Sequence, residues 1–230
     1  MRISPGARAI WALVGLWAVA TAFNLTKAVH IDDAAHLFIA QAILRDPLHP
    51  MSALISWDAV PEPIYGLNQP HLFFYLLAAI LRFSSSEVAL HLFAASWSGL
   101  AIFFFYRLCR ALAPRRALLL TALLLLGPAF LPAQNLLVDV PVLALWLGFF
   151  WALLAVRGAP RWGMAALFMS SACLTKYTSL CLFVPFAWAL ARESDRRRLL
   201  WLLVPVLALA GWSVFNFLDY GGIHLLGRHV

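Results

Sequence analysis

The chain has 230 residues, of which 63% are apolar and only 12% charged. That is about half the charged share of an ordinary soluble domain, so water is not its main solvent. The net charge of +7 does not indicate nucleic acid, because the arginines gather in short loops between apolar runs and no soluble basic domain exists to hold a duplex. Three cysteines, odd in number and lying in or beside apolar runs, exclude a disulfide framework.

In chain order, apolar runs fall at residues 9–28, 88–106, 117–131, 140–156, 162–174, 178–191 and 199–218. They approach or reach the roughly 20 residues a helix needs to cross about 30 Å of hydrocarbon. The expectation is therefore an all-α, polytopic membrane helix bundle of about seven spans, forming one transmembrane domain over residues 1–230. Arg2 with Arg8, then Arg107, Arg110, Arg115 and Arg116, then Arg157 with Arg161, and finally Arg192 with Arg196, Arg197 and Arg198 make four positive clusters. Seven crossings put every cluster on the cytoplasmic side, with the amino terminus inside.

The remaining loops then face outward. The longest, residues 29–87, is expected to hold two short helices: one opening at Asp32 or Asp33 and ending near Leu44, and an interfacial one over residues 71–83. The prolines at 47, 50, 61, 63 and 70 interrupt regular structure between them.

The candidate chemistry sits on this outer side. Asp32 and Asp33 are adjacent at the mouth of a helix; one caps it, and the other is placed to take a proton from a hydroxyl nucleophile. His30, Asp32, Asp33 and His36 together also suggest metal ligands. Asp139, which opens the fourth span, is either a carboxylate complementing the helix dipole or a second functional acid. Lys176 breaks the inside-positive pattern, which suits a point charge meeting a lipid phosphate. Asn68, Gln69 and His71 are polar groups able to orient a phosphate or a sugar hydroxyl.

The acidic pair, the segment Asn68-Gln69-Pro70-His71-Leu72-Phe73-Phe74-Tyr75, the segment Leu137-Val138-Asp139-Val140-Pro141 and Leu174-Thr175-Lys176-Tyr177 occur in this order. In that order and spacing they resemble the membrane glycosyltransferases of the C-type fold. The likeness is to family 39, the group related to protein O-mannosyltransferases and the aminoarabinose transferase of lipid A. The resemblance implies transfer of a sugar, with inversion, from a polyprenyl-phosphate donor to a lipid, glycan or protein hydroxyl at the outer face of the inner (plasma) membrane. It implies catalytic roles for Asp32, Asp33 and Asp139 and substrate binding by Asn68, Gln69, His71, Lys176 and Tyr177. It requires no cofactor, although a divalent metal ion at His36 and His71 fits the pattern. A tyrosine is common in the family where His36 stands, and family members continue through further spans and an outer domain, so this chain corresponds to their amino-terminal portion. A transporter or flippase of lipid-linked substrates, and a non-catalytic scaffold, are the alternative readings.

Overall fold

The computed structural model describes residues 5–29, 32–56, 60–67 and 69–227. Its helices are α1 (Pro5–Asn24), α2 (Asp32–Arg45), α3 (Ile64–Leu67), α4 (Leu72–Leu81), α5 (Glu87–Leu112), α6 (Ala117–Leu125), α7 (Asp139–Ala155), α8 (Pro160–Cys173), α9 (Phe183–Ala191), α10 (Leu203–Tyr220) and α11 (His224–Gly227). Two 3-10 segments, Tyr177–Leu182 and Arg196–Leu202, lead into α9 and α10. The extended structure among the described residues is one two-stranded antiparallel ribbon, β1 (Leu54–Ile55) with β2 (Glu62–Pro63), in the outer loop.

This is an all-α membrane protein. All seven apolar runs become helical, but only Ala7–Asn24, Glu87–Leu112 and Arg196–Tyr220 are long and apolar enough to cross a bilayer by length and composition. Three spans are shown on that basis, and seven full spans are not. Helix α6 shows why: it has nine residues and ends at Leu125, before Gly127 and Pro128. Its length is about 13 Å at 1.5 Å per residue, under half the hydrocarbon thickness. Helices α7 and α8, with 17 and 14 residues, are also short.

The two outer-loop helices form where the sequence places them. Helix α2 opens at Asp32. Helix α4 starts two residues after Pro70 and buries Phe73, Phe74 and Leu77 in a core shared with Ile39 and Ile43 of α2 and Leu90 and Ala94 of α5. A second core joins α7, α8 and α9 through Phe149, Trp162, Met169 and Phe186. Gly148 lets α7 and α8 close up, since a Cβ there would lie 2.8 Å from the Phe168 ring.

Successive long segments run in opposite directions, so the connections after α1, α6, α8 and α10 meet at one end of the bundle. At that end Lys27 donates to Pro132 and Asn135, and the ring of buried His91 lies 2.6 Å from the Lys27 carbonyl and 3.2 Å from that of Gln134. The Gln134 side-chain amide donates to Thr21 and Ser98, joining the turn at 126–138 to α1 and α5. Asp219, at the end of α10, accepts from the Met51 amide at 2.7 Å and the Ser52 hydroxyl at 2.6 Å, fastening the outer loop. Arg161 and Arg198 meet Glu193 between the opposite ends of α8 and α9.

Candidate functional site

At the end where these turns converge lies a cavity of about 310 Å³, lined by Asp32, Ala35, His36, Ile55, Ile64, Gln69, Leu137, Val138, Asp139 and Lys176. Its size is at the lower end of the range for small-molecule sites. Five polar side chains from four separate segments reach it against an apolar wall.

Asp32 and His36 are four residues apart on α2 and therefore share one face of that helix. Asp33 points the other way. It is only 1% exposed, and its Oδ1 accepts the Leu136 amide at 2.9 Å, 103 residues further along the chain. Nδ1 of His36 donates to the Leu136 carbonyl at 2.8 Å. The first turn of α2 thus grips Leu136 by both backbone groups and sets the adjoining residues, 137–139, into the cavity rim. Because a carbonyl only accepts, Nδ1 carries the proton and Nε2 is the acceptor nitrogen of this cavity-lining ring. Burial holds His36 below the usual imidazole range, against the opposing pull of the Leu136 carbonyl and of Asp33, Asp32 and Asp139.

Lys176, which also lines the cavity, donates to Asp139 Oδ1 at 2.7 Å. Asp139 opens α7, while Lys176 precedes the 3-10 segment at Tyr177. The Leu72 amide donates to the Leu174 carbonyl at 3.0 Å, binding the start of α4 to the turn that carries Lys176. This bond explains why Gln69 and Lys176 reach the same cavity.

His71 and Tyr177 stand in a separate, buried cluster. Trp212 donates to the Tyr177 hydroxyl at 3.0 Å, which lies 2.9 Å from Nδ1 of His224. His71 is fully enclosed, with its ring against Phe74 and Trp212. Desolvation, with a smaller contribution from His224, pushes its pKa down to about 3. Among the described residues no three His, Cys, Asp or Glu side chains are placed to hold a metal ion. The bond from Nδ1 of His36 to a backbone carbonyl orients Nε2 and leaves it able to act as a ligand, whereas His71 is enclosed by aromatic rings and does not line the cavity. Asn68 and His30 lie outside the described residues.

The structure brings Asp32, Gln69, Asp139 and Lys176, all candidates on the sequence, to one cavity. The sequence does not distinguish the buried Asp33 from the cavity-facing Asp32, and it passes over Leu136, Asp219 and the apolar wall of Ile55 and Ile64. The signal that could have joined Asp32 to His36 is their i, i+4 spacing on one helix.

The fold and site define a helical membrane protein with a polar, two-carboxylate cavity at one end of its bundle. Residues 68–217 match the dolichyl-phosphate-mannose-protein mannosyltransferase family, and since that is more than half of the 230 residues, the chain belongs to it. It is thus a membrane glycosyltransferase of the C-type fold, like family 39, as the motif order implied. No curated protein and no solved structure matches the chain. The match includes Gln69, Asp139 and Lys176 but begins after α2, so it is the geometry that adds Asp32 and His36 to the site.

Proposed function

We propose that the chain transfers a sugar from a polyprenyl-phosphate donor to a hydroxyl of a lipid, glycan or protein, at the outer face of the inner (plasma) membrane. The amino terminus is then cytoplasmic. The observation that supports this reading best is the joint lining of one cavity by Asp32, Gln69, Asp139 and Lys176 in a chain of this family.

Asp32 accepts the acceptor hydroxyl's proton as that oxygen forms its bond to the anomeric carbon. On the opposite side of the carbon the bond to the donor phosphate oxygen breaks, and a single displacement of this kind inverts the centre. The leaving phosphate takes both bonding electrons, and the Lys176 ammonium offsets the charge it gains. Lys176 is already held by Asp139, whose side chain is 65% exposed. A solvent-exposed ion pair contributes at most about 1 kcal/mol, so a phosphate can replace Asp139 as the lysine's partner. Gln69 contacts the donor sugar, and Nε2 of His36 is a second acceptor for a hydroxyl proton. Asp33, buried and bonded to Leu136, positions the rim rather than reacting. No step passes through a metal ion.

The transport alternative needs ionisable groups along a path through the bilayer. Residues 92–106, 140–156, 162–175 and 199–218 contain no Asp, Glu, Lys or Arg, which favours the enzyme.

The test is transfer of a labelled sugar from polyprenyl phosphate in vesicles containing the full chain. Asp32→Asn should lower turnover by about 100-fold or more, the contribution of general-base catalysis, while leaving the thermal unfolding midpoint in place. Turnover at the original rate would remove Asp32 from the chemistry.

A further inference from the structure

A second cavity, of about 580 Å³, lies between α1 and α5 on the side of the bundle, lined among others by Ile10, Val14, Trp17, Leu100, Phe103 and Arg107. Its walls are almost wholly apolar apart from the arginine. Both helices are long and apolar enough to cross a bilayer, so the groove opens towards acyl chains. Trp17 is fixed in its wall by donating to Ser98 at 3.0 Å and to the Ala95 carbonyl at 3.2 Å. Gly99 faces the indole, where even a Cβ would make only ordinary contact at 3.4 Å.

Arg107 closes one end. It stands 20 residues after Glu87, the start of α5, which is roughly 30 Å along a helix and so at the far headgroup level from the acidic cavity. Its guanidinium lies over the rings of Phe103 and Trp151, 5.8 and 5.4 Å from their centroids. A guanidinium over aromatic faces keeps its N–H donors, which lie in its own plane, for another partner. Among the described residues no carboxylate pairs with Arg107, whereas Arg161 and Arg198 are paired with Glu193.

An acyl-sized apolar groove ending in an unpaired, pre-oriented arginine at headgroup level fits one kind of occupant. We propose that the α1–α5 groove is a binding site for an anionic phospholipid of the leaflet opposite the acidic cavity, with an acyl chain along Val14 and Leu100 and the phosphate on Arg107. This site does not depend on the transfer reaction proposed above.

Native mass spectrometry of the full chain in detergent, with equal amounts of phosphatidylglycerol and phosphatidylcholine of the same acyl chains, tests it. The wild type should retain phosphatidylglycerol about fivefold over phosphatidylcholine, the preference one arginine supplies. Arg107→Gln should abolish the preference, while Arg110→Gln, at the same end but outside the groove lining, should keep it. Val14→Trp, at a position 43% exposed where a larger ring fills the groove without disturbing a core, should reduce retention of both lipids. Equal retention by the Arg107 and Arg110 variants would overturn the proposal. So would unchanged retention by Val14→Trp, or occupation of the groove by a second protein copy in place of lipid.

Discussion

The two ends of the bundle carry charge in different ways. At the cavity end, which carries most of the acids, several of them find partners far along the chain: Asp33 reaches Leu136, Asp219 reaches Met51, and Asp139 meets Lys176. At the other end arginines are many, and the ion pairs among described residues concentrate on Glu193 and Asp195, in or beside a single connection. Long-range bonds to backbone amides fix a shape, whereas clustered surface charge orients a chain in its membrane. Charge at the first end is therefore expected to be sensitive to substitution and at the second tolerant of it.

The strongest way to break that comparison is at Asp33. Asp33→Ala leaves the Leu136 amide buried without its acceptor, at a cost of about 1–3 kcal/mol. It also loosens the rim that holds Asp139, so thermal unfolding and transfer should both suffer. Asp33→Asn retains an acceptor oxygen and should be milder on both counts. Equal effects of the two variants would show that charge, rather than the bond to Leu136, is what matters at this position.

Acid gives a second test. His71 is neutral when folded, with its pKa near 3, while an unfolded imidazole titrates near 6.5. The unfolded chain then binds the additional proton, so stability is intact above about 6.5 and falls as pH drops from there towards 3. The lowered pKa of His36 acts with the same sign. The unfolding midpoint in detergent should decline over that window, and His71→Leu should flatten the decline.

The smallest effect belongs to the other end. Glu193→Gln removes the shared partner of Arg161 and Arg198, and partly exposed pairs of this kind contribute no more than about 1 kcal/mol. The midpoint should barely move. A shift larger than that from Asp33→Ala would reverse the contrast between the ends.

The sequence reveals where helices begin more readily than how far they extend. Asp32 and Asp139 mark the starts of α2 and α7 because carboxylates favour a helix amino terminus, and Pro70 marks the entry to α4. The extent of α6 was less legible, since Leu126 and Leu131 continue its apolar pattern while Gly127 and Pro128 end the helix. For the site, motif order was enough to group Gln69, Asp139 and Lys176 with Asp32. The division of labour between Asp32 and Asp33 was not legible, because it depends on a backbone amide 103 residues away. Asp219 was missed for the same reason, its partners lying in a proline-rich loop with no periodic pattern. Local signals report helix ends; they are silent about which distant backbone a buried carboxylate will meet.

The central claim is that Asp32 and Asp139 line one cavity and face one compartment. Single cysteines at positions 32 and 139, in a background with Cys109, Cys173 and Cys181 replaced, can be probed in sealed vesicles with a membrane-impermeant thiol reagent added to one side. Both positions should label from the same side, and a short bifunctional thiol reagent should join them in the double variant. Labelling from opposite sides, with no cross-link, would contradict the shared cavity and the reaction built on it.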